Sequence, residues 1–386
     1  MKVTQLLGSL AAFLLCLACG DNRIEKGPIK RSGQADVVSL DDDWRFIRYG
    51  LQADGTRVDE PAGMFEPATD DSDWETLDVP HDFAIKGPFR MDLAGNTGRL
   101  PFQGIGWYRK TFTVDEADQG KRFYVDFDGV MANAQVWLNG EYVGTWPYGY
   151  NSFRLDLTPF IQVGKENLLA VRTDTEKWDS RWYPGAGIYR HVWLVKTGQV
   201  HVRHWGTKIE AMNLTDKTAD LHLTVEVENH LNEDAKAVVK TSVYELDSLD
   251  CLGKRVLRFD DQTLPLKAMS AGKINLQKRM DDCKRWDIES PNRYMACVTV
   301  QVDGQETDRY YTPFGVREIS VSREGFFLNG RRVEIKGVCN HHDLGALGAA
   351  FNRSALERQF RIMRDMGCNS IRTSHNPPAP ELLDLA

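Results

Sequence analysis

The chain has 386 residues, too many for one ordinary domain, so we expect two or three domains. Its apolar fraction of 42% and charged fraction of 27% are typical of a globular protein. The net charge of −7, without a run of Lys or Arg, argues against nucleic acid as a partner.

The first 19 residues, "MKVTQLLGSLAAFLLCLAC", predict an export signal. One positive charge, Lys2, precedes an apolar run over residues 6–17 that is too short to span a bilayer as a mature helix. We predict a signal peptide of the lipoprotein type over residues 1–19, with Cys19 as the acylated residue. An ordinary signal peptide cut nearby is the alternative. Either form exports the protein to the periplasm, outer membrane or cell surface. In the lipoprotein form, the lipid anchor is the only expected contact with a membrane. Residues 20–36 are polar and predict a linker.

The cysteines after the predicted signal peptide do not have the number or spacing of a disulfide framework. They are odd in number, widely spaced and without a CxxC pair: Cys251, Cys283, Cys297, Cys339 and Cys368. We therefore expect free thiols rather than a disulfide between Cys251 and Cys283, and no structural zinc site made of cysteines.

Residues 37–318 have the pattern of two β-sandwiches. In "RFYVDFDGV", Phe123, Val125 and Phe127 alternate with polar residues, and "VWLNGEYVG" predicts a hairpin that turns at Asn139 and Gly140. These features predict a jelly roll over residues 37–200. The alternating stretch "ADLHLTVEVEN" belongs to residues 201–318, which have the size of an immunoglobulin-like sandwich. We interpret the Ala-containing stretch "NEDAKAVVKTSVYELD" there as a strand, because its Val and Tyr residues favour β structure.

Residues 319–386 change to an alternation of strand and helix. A hairpin at Asn329 and Gly330 runs into an apolar strand over residues 333–338, and "NRSALERQFRIMRDMG" is a helix with a capping box of Ser354 and Glu357. A second strand, "CNSIRTSH", and the start of a second helix follow. This order predicts the beginning of a (β/α)8 barrel, which needs roughly 250 residues. We therefore expect the chain to end inside that domain, with the apolar residues Leu356, Phe360, Met363, Leu382 and Leu383 partly exposed.

Polar residues collect where the two predicted barrel strands end. "CNHHD" contains His341 and "SHN" contains His375, and the carboxyl ends of parallel strands form the functional face of such a barrel. The alternative is that each histidine has only a structural role, capping the end of its strand. A metal site at His341, His342 and Asp343 is disfavoured, because neighbours on an extended segment point in opposite directions. In the first sandwich, residues 177–194 place Arg181 and Trp182 before a Gly-rich turn. Such residues bind sugars or pack on a neighbouring domain, and composition does not separate these alternatives.

Together these stretches resemble family 2 of the glycoside hydrolases, the β-galactosidase group. The resemblance covers residues 37–386 and rests on "VPHDF", "GIGWYRKTF", "VWLNGEYVG", "GAGIYRHVWL", "EIKGVCNHHD" and "NSIRTSHNPP". The last stretch fits the family pattern through Asn369, Arg372, His375 and Pro377, and departs from it at Asn376, where Tyr is common. "GVCNHHD" also differs from the family's common Asn-Arg-His-Glu form.

The resemblance implies a sugar-binding jelly roll, an immunoglobulin-like domain and a catalytic barrel. It also implies a retaining β-glycosidase that uses two glutamates. Those glutamates would follow Ala386, so we expect no catalytic residue in this chain and no activity from its 386 residues alone. By the same resemblance His341 and His375 bind sugar hydroxyls, Arg372 orients the nucleophile, and Arg181 and Trp182 reach the site from the first domain.

The expected substrate is a β-linked oligosaccharide or glycoside, with β-galactosidase activity in carbohydrate catabolism as the first expectation. β-Glucuronidase and β-mannosidase activity are the alternatives within the family. A non-catalytic carbohydrate-binding or adhesion protein is the alternative outside the enzymes. We expect no metal or cofactor in this chain, whereas family enzymes at full length can use a monovalent or divalent metal and can form homo-oligomers.

Overall fold

The structure is a computed structural model that describes Ile29 and residues 31–386. The predicted signal peptide, Cys19 and most of the predicted linker lie outside the described residues. Among the residues described, no helix is both long and apolar enough to cross a membrane.

The first domain is a β-sandwich of two sheets. The larger sheet has the order β4-β3-β6-β11-β8-β9, with β5 paired to β3, and the smaller has the order β10-β7-β12-β2. Its strands are β2 (Val37–Ser39), β3 (Trp44–Leu51), β4 (Arg57–Val58), β5 (Glu75–Leu77), β6 (Ile105–Thr113), β7 (Arg122–Phe127), β8 (Ala134–Leu138), β9 (Glu141–Trp146), β10 (Phe153–Asp156), β11 (Glu166–Asp174) and β12 (Val192–Thr197). The preceding short strand, β1 (Gly33–Gln34), belongs to the second domain's sheet.

The predicted hairpin at Asn139 and Gly140 is confirmed. Their φ angles are 55° and 87°, the positive values that a tight turn between β8 and β9 requires. Phe123, Val125 and Phe127 of β7 point into the core between the two sheets, as their alternation predicts.

The second domain is a sandwich of a six-stranded sheet, β1-β20-β19-β15-β16 with β17 on β15, and a three-stranded sheet, β13-β14-β18. Its strands are β13 (Val200–Met212), β14 (Ala219–Asn229), β15 (Ala235–Leu246), β16 (Leu252–Arg258), β17 (Gln262–Leu266), β18 (Ser270–Met280), β19 (Arg293–Val302) and β20 (Gln305–Phe314). The strand interpretation of "NEDAKAVVKTSVYELD" is confirmed by β15, and every second residue of β14 is buried. None of the five cysteines among the described residues is in a disulfide, as expected.

The last 68 residues, 319–386, contain a small antiparallel sheet and one parallel βαβ unit. The antiparallel sheet is β21 (Ile319–Ser322), β22 (Gly325–Leu328) and β23 (Arg331–Val333). The βαβ unit is β24 (Gly337–Asn340), α1 (Arg353–Asp365) and β25 (Ser370–Thr373), followed by α2 (Pro380–Leu385). The parallel pairing of β24 with β25 confirms the predicted change of architecture.

Three details of the sequence prediction are wrong in this last region. The single strand over residues 333–338 is divided, because β23 must run antiparallel to β22 while β24 joins a parallel pair. The cap of α1 is Asn352, whose Oδ1 accepts a hydrogen bond from the Ala355 amide at 2.9 Å, and Glu357 instead pairs with Arg353.

The third detail concerns exposure. Leu356 and Met363 are buried rather than partly exposed. Leu356 lies with Leu382 of α2 around a small cavity that Tyr189 of the first sandwich also borders, so the first sandwich helps to cover α1. Leu383, in contrast, is 68% exposed, as predicted.

Residues 31–36, the end of the predicted linker, pack between the two sandwiches. The Arg31 guanidinium donates to Asp126 at 2.7 Å and to Asp128 at 2.8 Å, and Arg154 donates to Asp126 from the other side at 2.6 Å. Gln34 bridges this network to the second domain by donating to the Val202 carbonyl at 2.8 Å. The polar face of β7 is therefore buried against charged partners instead of facing solvent.

Candidate functional site

The candidate site begins at the carboxyl ends of the two parallel strands. Asn340 at the end of β24 is in register with Thr373 at the end of β25, so the residues that follow both strands emerge together. His341 follows β24 directly, and His375 lies two residues beyond β25. Their ring centroids are 6.5 Å apart at an interplanar angle of 67°. The structure therefore brings together the two histidines that the sequence placed at one barrel mouth.

The loop of the first sandwich that contains Trp182 forms one wall of this site. The Trp182 ring meets the His341 ring edge-on, with centroids 4.8 Å apart, and its side chain is 42% exposed. The Arg181 guanidinium lies 5.8 Å from the centre of the Trp182 ring. Asn96, from a second long loop, donates to the Arg181 carbonyl at 2.5 Å and braces the loop.

Tyr148 is a further member of the site, which the sequence analysis missed. Its hydroxyl donates to Asn376 Oδ1 at 2.8 Å, across 228 residues of chain, and its side chain is 41% exposed. The only signal for it in the sequence was the aromatic, Gly-containing stretch "WPYGYNS", which starts at the last residue of β9. We call Trp182, His341, His375, Asn376 and Tyr148 the strand-end cluster.

Arg372 lies beside the cluster on β25 and is exposed. Its Nη1 donates to Ser374 Oγ at 3.1 Å and to Cys339 Sγ at 3.5 Å. Hydrogen bonding to Ser374 and to Arg372 lowers the pKa of the Cys339 thiol. The expected role of Arg372 in orienting a nucleophile stays a prediction.

His342 faces away from the cluster, as expected for the neighbour of His341. Its Nε2 donates to the Pro184 carbonyl at 3.0 Å, and its ring packs edge-on against Tyr150 and Tyr189. Burial lowers the pKa of His342 to about 4, so this imidazole is neutral at pH 7. His342 therefore holds the barrel segment against the sandwich, and His341 is left to face the open site.

The Asp82 carboxylate fixes the relative positions of the two walls. Its Oδ1 accepts from the amides of Ala84 at 3.0 Å and Ala186 at 3.1 Å, and its Oδ2 accepts from the Tyr183 hydroxyl at 2.6 Å and the Ala349 amide at 2.9 Å. Asp82 is 1% exposed, and burial raises its pKa even though these four donors oppose the shift. One side chain thus ties the loop that carries Trp182 to the turn that follows His341.

Two glycines allow this close approach. A Cβ on Gly185 would lie 2.3 Å from the Ala349 Cβ, and one on Gly348 would lie 2.4 Å from Asp82 Oδ2. Both residues also have positive φ angles, 73° and 63°, which glycine adopts without strain.

The segment after β25 is held by two residues that follow Tyr189. Arg190 is 3% exposed and donates to the carbonyls of Pro377 at 2.9 Å and Pro378 at 3.2 Å. His191 lies between two carboxylates, with Nδ1 2.8 Å from Asp41 and Nε2 3.5 Å from Glu381 of α2. These contacts position the loop that carries His375 and Asn376.

Comparison with known families identifies the chain. Residues 37–198 match the family model described as the sugar binding domain of glycosyl hydrolases family 2, residues 200–317 match a second model of that family, and residues 319–386 match its TIM barrel domain. The chain belongs to glycosyl hydrolase family 2. The resemblance found in the sequence is thereby confirmed.

Curated members of the family are similar over most of this chain. Beta-galactosidase BoGH2A of Bacteroides ovatus is 45% identical over 351 residues, which are 89% of this chain and 39% of that protein. A putative beta-glucuronidase of Formosa agariphila is 36% identical over 92% of this chain and 32% of its own length. The chain therefore spans between about a third and two fifths of these relatives.

Solved structures of family 2 proteins share the fold. A family 2 member from Bacteroides cellulosilyticus matches with a TM-score of 0.82 at 34% identity, over 90% of this chain and 44% of that one. A beta-glycosidase from Bacteroides vulgatus matches with a TM-score of 0.79 at 32% identity, over 91% of this chain and 43% of that one.

The contact of His191 with Asp41 and Glu381 predicts a pH-dependent stability. Burial by itself lowers the pKa of His191, but the hydrogen bond and charge of Asp41, with the charges of Glu381 and Asp128, outweigh it and the pKa is raised. A raised histidine pKa contributes stability that is complete below the unfolded value of about 6.5 and is lost as pH rises through the folded value.

We expect the melting temperature of the wild-type chain to exceed that of His191→Gln by the largest margin near pH 6, and this margin to shrink toward pH 9. Thermal unfolding across that range measures it. His222→Gln, which removes a half-buried histidine from β14 in the second domain, is the control. A margin for His191→Gln that is constant with pH would contradict the assignment of a charged His191.

Proposed function

We propose that the protein is a retaining β-glycosidase acting on β-linked galactosides, and that the strand-end cluster binds the sugar. The observation that carries the proposal is the contact of Trp182 with His341 opposite His375, since side chains of two domains converge there. An indole covers the apolar face of a sugar, and imidazoles hydrogen-bond its hydroxyls. The identity of 45% to a protein named as a beta-galactosidase supports galactosides as the substrate class.

The chemistry needs a proton donor and a second carboxylate about 5 Å apart, on either side of the scissile bond. We assign neither group to residues 31–386, because the family resemblance places both on later barrel strands. In this proposal His341 and His375 bind and orient the sugar, and Trp182 with Tyr148 forms the rim contributed by the first sandwich.

β-Glucuronidase activity is the second candidate. The exposed Arg181 guanidinium beside Trp182 would suit a substrate with a carboxylate, and relatives at 36% and 24% identity are named as a putative beta-glucuronidase and a beta-glucuronidase. Arg181→Ala separates the two candidates, because it should weaken only the turnover of an anionic sugar.

The direct test uses the protein encoded by the complete gene and a panel of nitrophenyl glycosides. We expect hydrolysis of the β-galactoside and, in His375→Ala, a fall in kcat/KM of roughly tenfold or more, with part of the loss in kcat. His222→Ala, far from the cluster in the second sandwich, is the matched control. Binding of sugars without hydrolysis of any glycoside would favour a non-catalytic carbohydrate-binding protein, and wild-type kinetics in His375→Ala would remove it from the site.

We also propose that the protein is exported and anchored through a lipid on Cys19. The support is the pattern of residues 1–19 alone. Cells expressing the protein should incorporate labelled palmitate into it, and Cys19→Ser should abolish this labelling. Labelling that persists in Cys19→Ser, or wild-type protein recovered unlabelled in the soluble fraction, would contradict lipid anchoring.

A further inference from the structure

Three metal-ligating side chains meet on one face of the second sandwich, outside the strand-end cluster. His201 on β13 is the direct cross-strand partner of Glu228 on β14, and His230 lies two residues beyond Glu228. Residues opposite each other, and residues two apart on a strand, share one face of a sheet. His201 Nε2 lies 3.7 Å and His230 Nε2 lies 3.3 Å from Glu228 Oε2.

We propose that His201, Glu228 and His230 form a binding site for a divalent transition-metal ion, with zinc as the ion that suits it best. A ligand set of two imidazole nitrogens and one carboxylate oxygen favours zinc over calcium and magnesium, which prefer oxygen ligands. The three ligand atoms all lie within 4.8 Å of one another. Tetrahedral zinc, with bonds of about 2.0–2.1 Å, separates its ligand atoms by about 3.4 Å. The three ligand atoms therefore need to move only slightly closer together to coordinate a zinc ion.

The tautomer of His201 is already set for metal binding. Its Nδ1 is 3.0 Å from the Gly198 carbonyl, which can only accept, so the ring proton is on Nδ1 and the lone pair of Nε2 faces Glu228. With its one ring proton on Nδ1, the imidazole can bind an ion through Nε2. The side chain is 1% exposed.

Glu228 and His230 complete the site from the solvent side. Their side chains are 26% and 24% exposed, so an ion has a path of entry. Arg203 Nε lies 3.3 Å from the other carboxylate oxygen, Oε1, and orients Glu228 with Oε2 toward the histidines. The two imidazole rings are parallel within 4°. An ion at this point takes the place of the hydrogen bond between His230 Nε2 and Glu228 Oε2. The His230 ring proton then moves through solvent to Nδ1, so that Nε2 has a lone pair, and rotation of the ring about its broad χ2 directs that lone pair to the ion.

The fourth ligand position is shared with the first sandwich. The Tyr124 hydroxyl on β7 lies 3.3 Å from His201 Nε2, so either this hydroxyl or a water can occupy it. Val200 and His201 follow directly on the connection between the domains, where the Gly198 amide donates to the Thr307 carbonyl. A metal ion at this site would crosslink that connection to β14 and so fix the two sandwiches relative to each other.

The test uses the 386-residue chain without a polyhistidine tag, stripped with EDTA and titrated with Zn²⁺ by calorimetry and with Co²⁺ by visible absorption. We expect one ion per chain, the strong absorption of tetrahedral cobalt, and a higher melting temperature with Zn²⁺ but not Mg²⁺. His230→Gln and Glu228→Gln should each weaken binding at least tenfold, because one ligand of three is lost.

His222→Gln is the matched control, because this histidine is on the same strand, β14, but outside the cluster. It should bind zinc as the wild type does. Far-ultraviolet circular dichroism checks that all variants are folded. For the same reason Glu228 and His230, which are partly exposed, are changed in preference to the buried His201. Zinc binding of equal affinity in the wild type, His230→Gln and Glu228→Gln would overturn the proposal, since the ion would then sit elsewhere.

Discussion

The candidate site depends on one buried carboxylate. Asp82 collects four donors from three separate segments: its own turn, the loop that carries Trp182, and the turn that follows His341. A carboxylate removed from water is costly unless its oxygens are satisfied by hydrogen bonds, so the three segments must stay together while Asp82 is ionised. Since Trp182 and His341 lie on two of those segments, the same interaction sets the distance between the two walls of the site.

Near this carboxylate, residues that are adjacent in sequence differ in role: one packs into the protein and the next faces the site. His342 packs inward and is bonded to the Pro184 carbonyl, which leaves His341 facing Trp182 and His375. Arg190 of the first sandwich donates to the Pro377 and Pro378 carbonyls, which follow the second parallel strand, β25. These bonds position the chain between β25 and α2, which carries His375 and Asn376. The first sandwich thus serves as the support on which the strand ends of the barrel segment are positioned, and this explains why long loops of a sandwich reach the mouth of a barrel.

Local features of the fold could be predicted from the sequence, because they depend on neighbouring residues. The turn at Asn139 and Gly140 follows from their tolerance of positive φ, and the core face of β14 follows from its alternation. The end of α1 at Asp365 is equally local, because Gly367, just beyond the C-cap Met366, has the positive φ of 87° that commonly ends a helix. The start of α1 was wrong because Asn352 and Ser354 are both good caps, and only the path of the incoming chain decides between them.

Long-range features could not be predicted in the same way. The charges of the buried Asp126 and Asp128 are both paired with Arg31, which lies more than 90 residues earlier in the chain. The bond of Tyr148 to Asn376 crosses 228 residues, and nothing in "WPYGYNS" identifies its partner. His341 and His375 were found because the carboxyl ends of parallel strands are a known position, whereas His201, Glu228 and His230 follow no short motif and meet only through the register of β13 and β14.

The most direct measurement of the central claim is hydrogen exchange, followed by mass spectrometry, in the peptide that contains the Ala349 amide. In Asp82→Asn this amide loses a charge-assisted bond worth about 1.5–3 kcal/mol, so its exchange should accelerate at least tenfold while peptides of β11 stay protected. Asp78→Asn is the control and should leave the peptide unchanged, because Asp78 is an exposed carboxylate in the same stretch that accepts from the Asp43 amide and not from Ala349. Equal protection of the Ala349 peptide in the wild type and Asp82→Asn would show that Asp82 does not hold the two walls together.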